Sequence, residues 1–91
     1  MGFVYIMTNS IYESQRIYKI GYTANVKKRL MNLNTGRLPC DEMRVIYCRG
    51  TQDPRASERL AHRELSSYRI HKEFFRGSLR IFKQVIDKYI F

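Results

Sequence analysis

A glutamate and a histidine four residues apart could carry chemistry in this sequence. Glu58 and His62 stand in the stretch ASERLAH, and their spacing places both side chains on one face of a helix. A carboxylate can hold a divalent cation, and an imidazole can orient that carboxylate or act as a general base. The same residues also fit a surface salt bridge of Glu58 with Arg55 or His62. Glu73 is a weaker candidate, either a second carboxylate near a metal or a charge on an edge strand.

The charge balance indicates a polyanionic partner. The 91-residue chain has 17 Lys and Arg against 8 Asp and Glu, a formal net charge of +9. Nucleic acid is the simplest such partner, an anionic membrane surface is its rival, and a solvated cationic surface is the third interpretation. Because charge used for binding has to be clustered, we expect a single positive groove. Its predicted lining is Lys19 and Arg29 with some of Lys27, Lys28, Arg16 and Arg37.

The cysteines and histidines do not indicate a metal or disulfide scaffold. Cys40, Cys48, His62 and His71 are separated by long, irregular gaps, whereas structural zinc sites usually contain a pair two to four residues apart. Two cysteines allow at most one bridge. The longest apolar run, Phe3–Met7, is too short for a membrane span or a signal segment. We therefore expect a soluble intracellular protein without a membrane partner, in the cytoplasm or, for a viral protein, also in the host nucleus.

Hydrophobic periodicity predicts the elements that must position these residues. The apolar run Phe3–Met7 is typical of a buried strand, and the polar link that follows it is too short for a parallel crossover. A hairpin with a second strand is therefore expected. Thr23 or Asn25 can cap the first helix, Asp53-Pro54 is a strong start signal for the second, and Ser78 can cap the last.

The length allows one domain, residues 1–91, and the order of elements is ββαβαα. This order predicts an α+β fold, in which a three-stranded antiparallel β-sheet is flanked by helices. The predicted strands are 2–8, 16–22 and 43–49, and the predicted helices are 25–34, 54–68 and 79–90. Strand alternation places Tyr5 and Lys19 on one face of the sheet and Tyr18 and Tyr22 on the other.

An aromatic-rich hairpin, a basic helix and a later helix with a carboxylate resemble the GIY-YIG endonuclease superfamily. Its first motif corresponds to Phe3-Val4-Tyr5 and its second to Lys19-Ile20-Gly21. The superfamily's helical arginine follows the second motif by about ten residues, where Arg29 stands. Its metal-binding glutamate lies on a later helix, where Glu58 stands. The resemblance covers essentially the whole chain and is closest to a compact subgroup of phages and large DNA viruses with a KIGYT second motif.

The resemblance implies a role for each of these residues. Glu58 would hold Mg²⁺ or Mn²⁺, and Arg29 would clamp the phosphate. Tyr5 would serve the attacking water as base or proton relay, while Lys19 would lower the pKa of Tyr5 or bind the phosphate. Packing for Tyr5, a solvent-facing position for Lys19 and a structural arginine at Arg29 are the alternatives.

The function predicted from this resemblance is metal-dependent hydrolysis of phosphodiester bonds by an endonuclease. DNA is favoured over RNA as the partner, and the protein is expected to be a monomer or a weak homodimer. Phe3 stands in place of the glycine of the first motif, and Lys19 stands in place of the tyrosine of the second. A nucleic-acid-binding module with weakened or lost catalysis is therefore the alternative function. An interaction protein whose basic face meets an acidic partner is a third hypothesis.

Overall fold

Five antiparallel strands form one sheet in the computed structural model, which describes all residues from Met1 to Phe91. In chain order the strands are β1 (Gly2–Thr8), β2 (Ile17–Thr23), β3 (Arg44–Thr51), β4 (Arg69–His71) and β5 (Phe74–Arg76). Their order across the sheet is β3-β1-β2-β5-β4, and every neighbouring pair is antiparallel. The predicted α+β class and antiparallel sheet are confirmed, but the predicted number of strands was wrong.

Four helices cover this sheet, each with a side-chain cap at its N-terminus. They are α1 (Ser10–Ser14), α2 (Val26–Asn34), α3 (Pro54–Glu64) and α4 (Leu79–Lys88). The capping side chains of Asn9, Asn25, Asp53 and Ser78 each accept a hydrogen bond from a backbone N–H in the first turn. None of the four combines the length and the apolar character that a membrane crossing requires.

The elements outside the three predicted strands and three predicted helices are all short, and one of them, β5, overlaps the segment 73–75 that the sequence offered as a short extended piece. β4 and β5 have three residues each, so neither is long enough for a period of two to show in the sequence. α1 has five residues, in a stretch expected to be a turn. Helix α3 ends at Glu64 rather than at Tyr68, because a 3₁₀ turn over Ser66–Tyr68 redirects the chain into β4.

The two faces of the sheet carry separate apolar clusters. On one face, Tyr5, Met7 and Met43 are buried beneath the apolar side chains of α2. On the other face, ten buried residues from β1, β2, β5, α3 and α4 form the larger core. Tyr5 is paired with Gly21 and Met7 with Lys19, and directly paired residues share a face. The prediction that Tyr5 and Lys19 lie on one face is therefore confirmed.

Candidate functional site

The edge of β2 is open along its last residues, and side chains of α3 complete it. Strand β5 pairs with β2 only over Ile17–Lys19. The N–H of Ile20 then donates to the carbonyl of Glu73 at 2.9 Å, and the carbonyl of Ile20 lies 2.8 Å from Nε2 of His62. The next exposed edge donor, the N–H of Tyr22, interacts with the carboxylate of Glu58. Two side chains from α3 thus contact backbone groups of β2 that a neighbouring strand would otherwise bind.

Groups from both faces of the sheet meet at this open edge. We call the cluster of Tyr5, Lys19, Arg29, Glu58 and Glu73 the edge site. Three of its buried oxygens have no hydrogen-bond partner: the phenol oxygen of Tyr5, Oε2 of Glu58 and Oε1 of Glu73. Nζ of Lys19 lies 3.1 Å from that oxygen of Glu73, an ion pair without hydrogen-bond alignment. Unpaired buried polar atoms are rare and costly, so their concentration here marks a functional site.

A glycine in β2 makes room for this cluster. A Cβ added at Gly21 would lie 2.5 Å from the phenol oxygen of Tyr5 and 2.8 Å from Oε1 of Glu73. Both distances are below any ordinary carbon–oxygen contact. Because Tyr5 is fully buried, its ring has no space into which it could retreat. The phenol and the carboxylate can therefore approach each other only across a residue without a side chain.

The surroundings of Tyr5 keep its phenol protonated. Burial raises the pKa of Tyr5 to about 12, and the negative charges of Glu73 and Glu58 act in the same direction. The guanidinium of Arg29 lies close enough to oppose them in part. Lys19 forms an ion pair with Glu73, and its predicted roles, to lower the pKa of Tyr5 or to bind the phosphate, stay predictions. The phenol of Tyr5 is therefore protonated at neutral pH, and its role in a reaction stays a prediction.

Glu58 has an unusually high proton affinity for a carboxylate. Burial raises its pKa to about 7, and the neighbouring charge of Glu73 contributes in the same direction, while the N–H of Tyr22 opposes the shift. Burial and a nearby negative charge both favour the protonated form of a carboxyl group. Glu58 can therefore gain or lose its proton near neutral pH.

His62 is committed to the structure through both ring nitrogens. Nε2 lies 2.8 Å from the carbonyl of Ile20, and Nδ1 lies 2.9 Å from the guanidinium of Arg69. Since a carbonyl accepts and a guanidinium donates, the ring is the neutral tautomer protonated on Nε2. Burial lowers the pKa of His62 as well. No ring nitrogen is free for a general base, so His62 positions Arg69.

Beside Glu58, an open cleft of about 540 Å³ is lined by arginines. Arg55, Arg59 and Arg63 come from α3, and Arg69 comes from the start of β4. Tyr22 and Ser66 line the rest of the cleft, and Glu58 and His62 contribute to its lining at the edge site. We call this feature the arginine cleft.

Two of the charges predicted to line one positive groove, Arg16 and Arg37, lie away from the edge site. Arg37 pairs with Asp41 at 3.0 Å, and Arg16 lies at the opposite end of β2, about 20 Å from Tyr22. Lys28 and Arg29 line a smaller pocket of about 360 Å³ at the start of α2, and Lys27 is exposed on the same helix. The sequence predicted this grouping from the positions of the basic residues along the chain. In the folded protein, ion pairs and the direction of the strands decide where these side chains lie. A role for Lys27 and Lys28 in nucleic-acid binding stays a prediction.

The edge site has the oxygen donors that a hard divalent cation requires. Glu58 and Glu73 each present a buried carboxylate oxygen without a hydrogen-bond partner. Mg²⁺ is commonly held by one or two carboxylates and keeps several waters, so the pair fits this ion. No group of three His, Cys, Asp or Glu side chains is arranged to ligate a metal, which excludes a fully protein-coordinated centre among these side chains. Glu58, the predicted ligand, and Glu73 are thus the residues that could hold a cation.

Two features of the site were underestimated at the level of sequence. Glu73 contributes to it through a turn between two three-residue strands, which leave no periodic signal. The arginine cleft did leave a signal. Arg55, Arg59 and Arg63 recur at a spacing of four within the predicted helix 54–68, so they were bound to lie on one helical face.

Comparison with known proteins identifies relatives of the chain. The family model of the T5orf172 domain matches residues 2–90. "Uncharacterized protein 460R" of Invertebrate iridescent virus 6 is 34% identical over 89 residues, which are 98% of this chain and 40% of the viral protein. "Putative KilA-N domain-containing protein 315L" of the same virus is 31% identical over 88 residues, 96% of this chain and 38% of that protein. The chain therefore spans about two fifths of these relatives. No solved structure matches it.

The family expected from the two strand motifs was wrong. The matching family model is that of the T5orf172 domain, and the comparisons give no support for the GIY-YIG superfamily. Phe3 stands where the first motif requires glycine, and Lys19 stands where the second requires tyrosine. The remaining correspondence consists of short strand segments. Packing within a sheet favours β-branched and aromatic residues in the strands of many unrelated proteins. The resemblance of these segments therefore does not distinguish one family from another.

Proposed function

The chain belongs to the T5orf172 domain family, and we propose that it binds DNA and hydrolyses phosphodiester bonds in a reaction that depends on Mg²⁺ or Mn²⁺. One observation carries the proposal: Glu58, which has a buried carboxylate oxygen without a hydrogen-bond partner, also lines the arginine cleft, and Glu73 offers a second such oxygen in the edge site. Carboxylates can hold a divalent cation, and arginines bind phosphate oxygens through forked donors. Phosphodiester hydrolysis uses both.

Each residue of the edge site has a task in this reaction. Arg29, beside the phenol of Tyr5, would bind phosphoryl oxygens and orient the scissile bond. A divalent cation held by Glu58 and Glu73 would supply Lewis-acid polarisation of the phosphoryl group. Lys19 holds the carboxylate of Glu73 in place through their ion pair.

Tyr5 acts as a proton donor. Water forms the new bond to phosphorus, and the bond between phosphorus and the leaving sugar oxygen breaks. The water releases its proton to solvent, Tyr5 protonates the leaving oxygen, and solvent then returns a proton to the phenol. Its pKa of about 12 suits this step, because it lies below the value of about 16 for water, which an alkoxide leaving group resembles.

Cleavage of duplex, branched and single-stranded DNA with and without Mg²⁺ or Mn²⁺ tests the proposal. Glu58→Gln should abolish metal-dependent cleavage, since the amide removes the charge while keeping the shape. Glu64→Gln is the matched control on the same helix, because Glu64 is bonded to Lys88 and Tyr89 at the surface. Equal cleavage by the wild type and Glu58→Gln would contradict the proposed site.

Binding of the cation can be measured apart from cleavage. Mg²⁺ should raise the Tm of the wild-type protein and of Glu64→Gln, because a ligand bound only by the folded state stabilises it. The Tm of Glu58→Gln should not respond. A response of all three proteins to the same extent would place the cation elsewhere.

A DNA-binding module without catalysis is the second candidate, and a specific observation favours it. Lys19 already pairs with Glu73, at a carboxylate oxygen that a cation would need. A chain that binds DNA with a strong salt dependence, yet cleaves no substrate with either metal, would have this second function.

A further inference from the structure

Three arginines form a ladder along the outer face of α3. Arg55, Arg59 and Arg63 are all exposed, and successive members are about 6 Å apart along the helix axis. None of them lies within ion-pairing distance of a carboxylate. Like charges repeated at a spacing of four repel one another and destabilise an isolated helix. Their concentration without counter-charges therefore favours an external polyanion.

Three other arginines of the chain form ion pairs within the protein. Arg37, Arg44 and Arg49 are each paired with a carboxylate, on Asp41, Glu13 and Asp87 respectively. The chain has only 8 acidic residues, and three of them are paired with these arginines rather than with those of the cleft. Glu58 is the one carboxylate that lines the arginine cleft, where four arginines surround it.

The fourth arginine of the cleft is held in place by buried groups. The guanidinium of Arg69 donates to Nδ1 of His62, of which only 9% is exposed, and it lies 5.5 Å from the ring centre of Phe75. A long side chain fixed at two points loses less entropy when it binds a ligand. The remaining donors of Arg69 are available to the cleft, so Arg69 is a preorganised contact at the end of the ladder.

We propose that the arginine cleft binds the phosphate backbone of duplex DNA without reading its sequence. Arg55, Arg59 and Arg63 contact phosphates along one strand, and Arg69 holds the phosphate group that lies nearest Glu58. The backbone is thereby guided towards the edge site. The inference rests on the proposed function for its choice of DNA as the polyanion, but it concerns binding and does not require hydrolysis.

Equilibrium binding of a fluorescent 20-base-pair duplex over a series of salt concentrations, in EDTA, tests the inference. Arg59→Gln/Arg63→Gln should weaken binding about tenfold or more and reduce the salt slope by about two, since each phosphate contact contributes about 0.9. Arg69→Gln should reduce the slope by about one. The matched control is Arg44→Gln/Arg49→Gln, which changes the net charge equally on another surface and should leave the slope nearly unchanged.

Several outcomes would overturn the inference. Equal effects of the cleft and control variants would show that net charge alone drives binding. Absence of duplex binding by the wild type, or an acidic peptide that competes as well as unlabelled duplex, would also refute it. The Tm of Arg59→Gln/Arg63→Gln should match the wild type, because neither arginine has a partner within the protein. Arg69→Gln and the control variant lose internal contacts, so their Tm should fall slightly while each still unfolds in one cooperative transition well above the temperature of the binding experiment.

The two proposals can fail separately. Binding through the cleft without any cleavage in Mg²⁺ or Mn²⁺ would refute hydrolysis and keep the inference. Metal-dependent cleavage that is unaffected by Arg59→Gln/Arg63→Gln, with unchanged binding, would refute the cleft and keep hydrolysis.

Discussion

Two clusters of buried polar groups differ in how completely they are paired. In the first, the fully buried amide of Asn9 donates to the backbone carbonyl and to Oδ1 of Asp41, both at 3.1 Å. Its oxygen accepts from the N–H of Tyr12 at 2.8 Å. Arg37 bonds Asp41 at 3.0 Å and the carbonyl of Leu33 at 2.8 Å. We call this the Asn9 cluster.

The edge site has the opposite character. It contains a buried phenol oxygen and two buried carboxylate oxygens without hydrogen-bond partners. Each such group costs about 1–3 kcal/mol in desolvation, whereas a paired group contributes to stability. The difference teaches that the buried polar groups of this small domain are not all paired for stability. The Asn9 cluster holds loops together, whereas the edge site leaves the phenol of Tyr5 and one oxygen of Glu58 without a partner, at a cost in stability.

The largest expected effect concerns the charge of Glu58. Its pKa is raised from 4.5 to about 7 in the folded protein, so the folded state retains a proton that the unfolded state has already released. This contribution to stability is complete below pH 4.5 and is lost as the pH rises through about 7. The free energy of unfolding should therefore fall by up to about 3 kcal/mol across this interval.

Urea denaturation of the wild type and of Glu58→Gln in EDTA, between pH 4.5 and 7.5, measures this loss. The variant lacks the titrating group and should have a flatter profile, while the contributions of all other groups cancel in the comparison. Parallel profiles would mean that Glu58 is solvated like an ordinary surface carboxylate, and the contrast between the two clusters would then disappear.

Removal of a polar group should reduce stability in the Asn9 cluster but not in the edge site. Asn9→Ala removes the cap of α1 and leaves Asp41 short of a donor, so we expect a loss of about 2–3 kcal/mol. Tyr5→Phe removes a hydroxyl that has no partner, so stability should be unchanged or slightly higher. Thermal denaturation compares the two variants. A large loss in Tyr5→Phe would show that its hydroxyl is bonded in solution.

The close approach at Gly21 can be tested with a second glycine as control. Gly21→Ala forces a methyl group against Tyr5 and Glu73, and overpacking of this kind costs about 2 kcal/mol. At Gly50, on β3, the nearest atom would lie 3.6 Å from an added Cβ, which is an ordinary contact. Gly50→Ala should therefore have little effect on the free energy of unfolding. Equal losses in both variants would indicate a general effect of alanine in these strands.

Local signals in the sequence predicted much of the fold. Apolar runs and caps at Asn25, Asp53 and Ser78 identified the three longer helices, and alternation placed Tyr5 with Lys19. These features depend on neighbours in the chain, so a single sequence contains them. The strands β4 and β5 depend instead on the edge that β2 offers them, and three residues carry no periodicity of their own.

The candidate site was predictable in its members but not in its electrostatics. Tyr5, Lys19, Arg29 and Glu58 do come together, yet the direction of the pKa shift at Tyr5 depends on burial and on Glu73. Both result from tertiary packing across the open edge of β2. Glu73 reaches the site through a turn whose position no local pattern reveals, so the protonated phenol could not have been inferred from the sequence.

The smallest expected effect separates charges used for folding from charges used for binding. Arg37 was predicted to bind nucleic acid, but it pairs with Asp41 and with a carbonyl at the end of α2. Arg37→Gln should lower the free energy of unfolding by about 0.5–1 kcal/mol, because both contacts are partly exposed. The salt slope of Arg37→Gln for duplex binding should equal that of the wild type. Arg59→Gln should behave in the opposite way, with unchanged stability and a reduced salt slope. A reduced slope in Arg37→Gln would mean that the Asn9 cluster also contacts DNA, and complete pairing would then no longer identify residues that serve the fold alone.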